Sequence, residues 1–562
     1  MTGEHIDRLD RYRFDEAGPL ENDLIDEFAE GNIDRRTFIQ RATVLGLSLG
    51  VIGSALTALG APPAFAAPLA QKAGGRLRLG VLPPPAKDLE PYKLADTGGL
   101  VTDGIAGEFL TRSTKSLTIV PELALSWKPN AKATVWTFKL RPNVKFQGGQ
   151  PFGAADVVAS YERLVSADSG ALSAFKGVLS KGGIKAVDNL TVQFTLDSPT
   201  ASFPYLTSSS TYQAIMLPRD YKVGTFDKVP QGTGAFRLVS YSPGVGAKFD
   251  RNPAWWGGNA LLDGVDITYY TEPAAHVSAL LGGQVDMLNE VQFANGRALF
   301  NNPNVQIFPV RGAQNRTVGL RVNLANPLKD PRVRRAIALT LDRPAIIRTL
   351  FQNFADLGND SPFAPVFPST DKSVPQRRKD IAAAKKLLAA AGYARGFKVP
   401  FVVQKNGEMP QLAQIMQRSA KAIGVDLQLE LQLDAKFFAG KQWSAPCNYG
   451  NTPWLNGAMT LTGWGGRSVP NLYLTSEVKS CSIWNEAQYK NPKLDKVIDQ
   501  YLAAIALSDQ RRYARQIQQT LLNDTPFIFP YFFNSLAAGS KKVKGYNHDA
   551  SALVYLSRTS LA

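Results

Sequence analysis

The sequence predicts an α/β protein with at least two lobes that follow a removable leader. Three observations support this prediction. The chain has 562 residues, whereas a single hydrophobic core stops growing at roughly 250 to 300 residues. Strand patterns and helix patterns intermingle along the chain, which is typical of α/β lobes. The first 66 residues form an acidic stretch followed by an apolar run, as export signals do.

The leader carries two consecutive arginines ahead of its apolar segment. Arg35 and Arg36 precede an apolar run at 42–59, which contains three glycines as well as serine and threonine. This order is typical of a twin-arginine signal peptide, and Ala64-Phe65-Ala66 offers the small-x-small pattern that signal peptidase cleaves. We therefore expect residues 1–66 to be removed by cleavage near Ala66.

The alternative for this segment is a transmembrane anchor, which needs about 20 strongly apolar residues. The glycines and hydroxyl side chains of the run make that alternative the weaker one. A lipoprotein needs a cysteine at the cleavage site, and the first cysteine of this chain is Cys447. We therefore expect a periplasmic protein without an anchor.

Composition excludes several classes of function. Residues 67–562 contain 57 basic and 36 acidic side chains, a formal charge of +21. The basic residues are dispersed, and no nucleic-acid-binding motif accompanies them, so we predict no nucleic-acid partner. His276, His548 and the two cysteines lack the spacing of zinc, haem or iron-sulfur sites, so we predict no metal and no cofactor.

The strand signals are alternations of apolar and polar residues. Trp136, Phe138 and Leu140 alternate with polar or smaller partners, and a second alternation covers 190–196. The clearest strand pattern is at 425–433, where Val and Leu at odd positions alternate with Asp, Gln and Glu. Each pattern predicts a half-buried strand.

The helix signals are caps followed by stripes of apolar residues. Asp330-Pro331 predicts a helix that runs to about Thr340, and Asp342-Arg343-Pro344 predicts the start of another. An apolar stripe at 381–391 ends at Gly392, and a similar stripe lies at 410–424.

Five stretches stand in a fixed order along the chain. They are 136–146 with 152–158, 232–236, 251–258, 283–286, and 331–343 preceded by Asn323. Together they resemble extracytoplasmic solute-binding family 5, the substrate-binding proteins of peptide and nickel ABC importers. One departure is Gln147-Gly148-Gly149, which stands where the family usually has Asp-Gly.

The resemblance implies a two-lobed periplasmic binding protein fold of the large oligopeptide-binding-like class, with a hinge and an interlobe cleft. Lobe I would cover 67–310 with an inserted subdomain at about 113–214, lobe II would cover 311–524, and 525–562 would return to lobe I. Crossovers near Arg311 and Pro526 would form the hinge at which the lobes close.

The resemblance also places the ligand segment. In peptide-binding members a Gly-Trp dipeptide lines the cleft, and an Asp a few positions later pairs with the α-ammonium of the peptide. Here Gly463-Trp464-Gly465-Gly466-Arg467 occupies that place, with a guanidinium where the carboxylate is expected. A planar guanidinium suits a carboxylate or phosphate, so we expect a ligand with an anionic end or without a free amine. The alternatives are that Arg467 faces solvent or pairs with an acid such as Glu477.

Three aromatic residues are further candidates for ligand contact. Trp454 and Tyr449 precede the Gly-Trp motif, and Tyr92 resembles a family residue that faces the cleft from lobe I. The alternative for all three is ordinary core packing. Cys447 and Cys481 would form a disulfide that brackets the ligand segment, since disulfides persist in exported proteins; two free thiols are the alternative.

We therefore predict a monomeric, non-enzymatic protein that captures a small organic solute and delivers it to an inner-membrane ABC permease. The solute would be a peptide or peptide-like molecule, with an anionic group as one option. Two other classes stay open, a periplasmic hydrolase and an envelope-binding or chaperone-like protein. The sequence offers no nucleophile-base set that supports the hydrolase.

Overall fold

In this computed structural model, the described residues are 9, 12–13, 17, 19–29, 35–44, 47, 49–58, 73–84, 88–94, 96–441 and 447–562. The chain divides into two compact units. Unit 1 consists of Met1–Val310 and Ser535–Ala562, and unit 2 consists of Arg311–Asn534. The chain passes from one unit to the other within two strands, Val305–Leu320 and Tyr531–Ser540.

The second boundary lies after Asn534, so the predicted return at residue 525 is too early. Residues 525–534 belong to unit 2 because their backbone pairs there. Phe527–Ile528 pairs with Val318 and Gly319, and Tyr531 to Phe533 pair with Ala355–Leu357.

Unit 1 contains a mixed sheet built around Arg76–Val81. This strand pairs in parallel with Gly264–Tyr269 and with Met287–Leu288. Gly246–Arg251 and then Phe236–Ser242 extend the sheet by antiparallel pairing. On the other side, Met287 and Leu288 pair with Gly539 and Ala538 of Tyr531–Ser540.

A separate four-stranded antiparallel sheet of unit 1 has the order Ala124–Pro129, Val135–Leu140, Thr191–Thr195, Ile184–Asp188. Trp136, Phe138 and Phe194 point into a hydrophobic cluster beneath it that also holds Tyr161 and Phe203. The strand predicted from alternation at 135–140 is therefore confirmed, and that at 190–196 is confirmed for 191–195.

The remaining elements of unit 1 are short. Its helices are Thr97–Ala106, Ala154–Leu164, Leu172–Phe175, Phe203–Leu206, Pro273–Leu281 and Arg297–Phe300, with a 3₁₀ turn at Pro91–Lys93. Its two-stranded pairs are Thr111–Ser113 with Ile119–Pro121, Val543–Lys544 with Ser560–Leu561, and Asn547–His548 with Val554–Tyr555.

The described part of the leader forms three helices, Pro19–Ala29, Arg35–Val44 and Leu49–Ala58. Their apolar residues form one cluster, in which the Phe28 and Phe38 rings stack at 4.5 Å. No helix within the described ranges has the length and hydropathy of a membrane span. The predicted cleavage pattern at 64–66 lies outside the described residues.

Unit 2 is built on a sheet with Met459–Trp464 at its centre. This strand pairs in parallel with Phe397–Gln404, which pairs in parallel with the edge strand Val425–Gln432. On its other side it pairs antiparallel with residues 315–320 of Val305–Leu320.

The helices of unit 2 include those predicted from caps. Asp330 and Asp342 accept hydrogen bonds from the N-termini of Pro331–Ala338 and Arg343–Phe351. The helix Ile381–Ala390 confirms the one predicted from the apolar stripe at 381–391, and Asp380 caps it. The other segments are Met409–Lys421, Asp434–Phe437, Pro453–Asn456, Asn471–Tyr473, Pro492–Ala503 and Leu507–Asp524, a π turn at Leu474–Val478 and a 3₁₀ turn at Pro327–Lys329.

The alternation predicted at 425–433 is only partly correct. Val425 and Leu427 are buried, whereas Leu431 is 43% and Leu433 is 64% exposed. Val425–Gln432 lies at the sheet edge and ends at Gln432, so the last two leucines of the pattern do not reach the core.

Candidate functional site

The predicted Gly-Trp motif lies at the end of the central strand of unit 2. Gly463 pairs with Arg316 and Trp464 pairs with Asn315 of the neighbouring strand. The Gly463 N–H also donates to Gln404 Oε1 at 2.9 Å. Trp464 is 7% exposed, and Gly465-Gly466-Arg467 follows as irregular backbone. The motif is therefore anchored on its strand side by both neighbours.

Arg316 explains why position 463 is a glycine. A Cβ placed on Gly463 would lie 3.1 Å from Arg316 Nη1 and 3.4 Å from Met409 Cε. The Arg316 guanidinium cannot easily withdraw, since it forms an ion pair with Glu408 at 2.8 Å and lies over the Phe533 ring at 4.7 Å.

Glu408 holds this guanidinium with both of its oxygens. Arg316 Nη2 donates to Oε2 at 3.0 Å, and the Tyr531 hydroxyl donates to Oε1 at 2.8 Å. Both charged side chains are largely buried, at 13% and 14% exposed. Burial raises the pKa of Tyr531 well above its usual value, so the phenol stays a donor at neutral pH.

Arg467 stands apart from the other arginines near it. It is half-buried, and its Nη1 donates at 2.8 Å to the carbonyl of the adjacent Gly466. It forms no ion pair within the described part of the chain, and Glu477 is fully buried elsewhere. The alternative that Arg467 pairs with Glu477 is therefore wrong.

Trp464 belongs to a cluster of contacting aromatic rings. Its centroid lies 6.5 Å from Trp454, 5.4 Å from Trp484 and 5.5 Å from Tyr473. Trp454 and Trp484 are themselves 6.4 Å apart. We call Trp454, Trp464 and Trp484 the tryptophan cluster; it joins two of the predicted ligand residues in one packed unit.

A buried glutamate, Glu486, contacts this cluster, and a second one, Glu477, lies near Glu486. Trp454 Nε1 donates to Glu486 Oε2, and Glu486 is packed so closely on Gly319 that a Cβ there would lie 2.5 Å from Glu486 Cγ. Glu477 and Glu486 are both fully buried, and burial raises the pKa of each carboxyl well above its usual value.

The disulfide predicted from the two cysteines is confirmed. Cys447 and Cys481 are bonded, with their Cα atoms 4.3 Å apart. The bond closes a loop that contains Tyr449, Trp454 and the Gly-Trp motif. Tyr449 is 6% exposed, and burial raises the pKa of its phenol.

Tyr92 lies in unit 1, within the 3₁₀ turn Pro91–Lys93. Its hydroxyl donates to Asp168 Oδ2 at 3.3 Å, and the Lys93 ammonium lies 5.3 Å from its ring centre. The ring is 5% exposed and packs with Leu94 and Leu100. Its ligand role stays a prediction, as do those of Gly463, Trp464, Gly465, Arg467, Trp454 and Tyr449.

Unit 1 contains a cavity of about 160 Å³ that the sequence did not indicate. Its lining includes 234–236 and 255–257, which are parts of two of the stretches that resemble family 5. Glu108 is buried in its wall and accepts hydrogen bonds from Trp255 Nε1 at 2.9 Å and Trp256 Nε1 at 2.8 Å. Nearby, burial and the charge of Glu108 raise the pKa of Glu122 to about 8.

Within the described ranges, no group of three or more His, Cys, Asp or Glu side chains is placed to hold a metal ion.

A family model described as bacterial extracellular solute-binding proteins, family 5 Middle, matches residues 118–486. The chain belongs to this family of solute-binding proteins. Its members are binding proteins that serve ABC importers, and this chain is the substrate-binding component of such an importer. The family acts outside the cytoplasm, which agrees with the export signal predicted from the sequence.

Two relatives resemble the chain over most of their length. The glutathione-binding protein GsiB of Pectobacterium atrosepticum is 24% identical, covering 82% of this chain and 89% of GsiB. The oligopeptide-binding protein AppA of Bacillus subtilis is 25% identical, covering 86% of this chain and 90% of AppA.

The ABC transporter substrate-binding protein CtaP of Listeria monocytogenes has a similar solved structure. The TM-score is 0.74 at 21% identity, and the match covers 87% of this chain and 100% of CtaP. The predicted two-lobed binding-protein fold is thereby confirmed.

Proposed function

We propose that the chain captures a small peptide or peptide-like solute with an anionic group and passes it unchanged to an inner-membrane permease. Family membership supports capture and delivery. The two relatives whose names state a peptide ligand, glutathione for GsiB and oligopeptides for AppA, support the peptide class. The cleft expected from the family resemblance is the proposed place of capture.

We infer the anionic group of the solute from the hydrogen-bond partners of Arg467. Arg343 and Arg377, which are buried in unit 2, pair with Asp360, whereas the buried Arg334 donates to backbone carbonyls of Leu328, Lys329, Asp524 and Thr525. Arg467 is half-buried beside Trp464 and donates to a carbonyl of its own loop. Its remaining N–H groups suit a carboxylate or phosphate of the solute, bound by two parallel hydrogen bonds.

Calorimetry on the processed protein tests this role. Mass spectrometry first identifies the solute that copurifies, and glutathione and an amide-capped tripeptide serve as defined probes. We expect Arg467→Ala to weaken binding of the carboxylate-bearing solute by tenfold or more, since a charged hydrogen bond is lost. Arg395→Ala, at an exposed position of the same unit, is the control. Unchanged affinity in Arg467→Ala would remove this residue from the site.

We propose that the protein binds without catalysis and acts as a monomer in the periplasm. Solute recovered from the complex should have its original mass after prolonged incubation, whereas a hydrolase would return fragments. Sedimentation should give the mass of one processed chain with and without solute.

The proposed route of export is the twin-arginine pathway, supported by the order of charged and apolar residues in the leader. Replacing Arg35 and Arg36 with lysines should leave the full-length chain in the cytoplasm. Arg41→Lys, in the same helix, is the matched control and should be exported. N-terminal sequencing of exported protein should begin near Ala67; processing that does not depend on Arg35 and Arg36 would contradict the route.

A further inference from the structure

Glu477 and Glu486 are acidic side chains buried without a cation. Both are fully buried, and neither forms an ion pair with any residue that the structure describes. Both oxygens of Glu477 and Oε1 of Glu486 also lack a well-aligned hydrogen bond there, because the Thr317 hydroxyl beside Glu477 donates to Asn315 Oδ1 at 3.2 Å. An ionised carboxyl pays a large desolvation penalty in such a place, whereas a protonated one pays far less.

The two carboxyls lie on one face of Val305–Leu320. Glu486 packs on Gly319, and Glu477 lies beside Thr317, two positions earlier on the same strand. The nearest charge that acts on Glu486 is that of Glu477, so each ionised form would disfavour the other. The Gly319 N–H and the Thr460 hydroxyl also lie against Glu486 and lower its pKa, but burial outweighs both of them.

Three charged or titratable groups on the elements next to the pair, those of Arg316, Lys479 and Tyr473, have other partners. Arg316 lies on the opposite face of the strand with Glu408. Lys479, two residues after Glu477, pairs with Asp499 at 2.5 Å. The Tyr473 hydroxyl donates to the Gly465 carbonyl at 2.7 Å. No positive charge from these elements is available to an ionised Glu477 or Glu486.

Glu486 connects the pair to the tryptophan cluster. Its Oε2 accepts the indole N–H of Trp454, and Trp454 packs on Trp464 and Trp484. A charge at Glu477 or Glu486 would draw water into this packing. The resulting movement would reach Trp464, directly before the Gly465–Arg467 turn.

We propose that Glu477 and Glu486 are positioning residues that hold the tryptophan cluster in its packed arrangement only while both carboxyls carry a proton. The segment that carries the Gly-Trp motif is thereby sensitive to pH. This role is independent of the solute, so the proposed capture of an anionic peptide stands or falls by its own test.

The direction of the pH effect follows from the raised pKa values of both groups. In the unfolded chain a glutamate ionises near its ordinary pKa of 4.5. Above that pH the folded chain binds more protons than the unfolded chain, so stability falls as pH rises. For each carboxyl, the unfolding constant rises tenfold per pH unit until that carboxyl ionises in the folded protein.

The test compares Glu477→Gln, Glu486→Gln and the double variant with wild type, by urea unfolding from pH 5 to pH 8. The amide keeps the shape of the side chain and cannot ionise. We expect the unfolding constant of wild type, relative to either single variant, to rise about tenfold per pH unit until the replaced carboxyl ionises in folded wild type. Glu430→Gln, at an exposed position of Val425–Gln432, is the control and should give a ratio independent of pH. A pH-independent ratio for Glu477→Gln and Glu486→Gln would overturn the proposal.

Near-ultraviolet circular dichroism distinguishes a role in positioning the tryptophan cluster from simple burial of the two carboxyls, and the wild-type curve is informative even if a variant fails to fold. The contacting indoles should give a signal that wild type loses as pH rises toward 10. Each folded glutamine variant should lose less of it, and the double variant should keep it. A wild-type signal that stays constant to pH 10, or that changes equally in the double variant, would also overturn the proposal.

Discussion

Carboxylates are buried against both faces of the strand Val305–Leu320, and the two faces differ in the groups that surround these carboxylates. On one face Glu408 is enclosed by the Arg316 guanidinium and the Tyr531 hydroxyl. On the other face Glu477 and Glu486 are surrounded only by uncharged groups of the described chain, among them the indole N–H of Trp454 and the hydroxyls of Thr317 and Thr460. The first arrangement stabilises an ionised carboxylate, and the second is compatible only with neutral acids.

This difference predicts mutational effects of opposite sign. Neutralising Glu408 leaves a buried guanidinium without its counter-charge, whereas neutralising Glu486 removes a group whose ionisation is penalised. Burial alone therefore does not tell whether a carboxylate supports the fold. What decides this is whether a cation lies within ion-pair distance of the carboxylate, as Arg316 does for Glu408.

The largest effect is expected from Glu408→Ala, which isolates Arg316 in the protein interior. Breaking a buried ion pair by removing one partner costs about 3 to 5 kcal/mol of unfolding free energy. Urea denaturation at pH 7 measures it. Glu430→Ala, an exposed change on Val425–Gln432, should stay within about 0.5 kcal/mol. Equal losses in the two variants would mean that the pair with Arg316 contributes nothing.

A smaller effect is expected from replacing both Cys447 and Cys481 with serine. The loop spans a sequence separation of 34, for which the chain-entropy model gives roughly 3 to 4 kcal/mol. The closed loop contains Trp454, Trp464 and Glu477, but neither Arg316 nor Glu408. Thermal unfolding should show the loss, and reduced wild type should match the variant. Retention of the full melting temperature after reduction would contradict this prediction.

The smallest of the three effects is expected from Gly463→Ala. The added Cβ meets a guanidinium that Glu408 holds in place, so overpacking should cost about 1 to 2 kcal/mol. Gly465→Ala is the matched control, because its Cβ would lie 3.2 Å from Arg467 Nη1, on a side chain without a carboxylate partner in the described chain. That side chain can move aside at little cost. Equal losses at the two positions would show that Arg316 is not held as described.

Local patterns in the sequence predicted the helices more reliably than the site. Asp330, Asp342 and Asp380 cap helices because the acceptor and its donors are within three residues of each other. The pairing of Arg316 with Glu408 joins residues 92 positions apart, and no local pattern marks it.

The glutamate pair was missed for a related reason. The sequence marks Glu477 only as a neighbouring acid that could pair with Arg467, ten positions earlier. In the structure a π turn at Leu474–Val478 carries Glu477 into the interior. The Gly-Trp motif itself was found by resemblance to family 5, and its place at the end of a central strand came from long-range pairing with Phe397–Gln404 and Val305–Leu320.

The disulfide has a consequence for proteolytic damage in the cell envelope. Cys447 and Cys481 enclose the segment that holds the tryptophan cluster and the proposed anion contact. A protease that cut once between them would leave both new ends covalently attached to the rest of the protein. The nicked molecule would migrate as one chain until it is reduced, and the fragments could stay docked on the sheet of unit 2. Damage within this segment would therefore not by itself release the residues proposed to bind the solute.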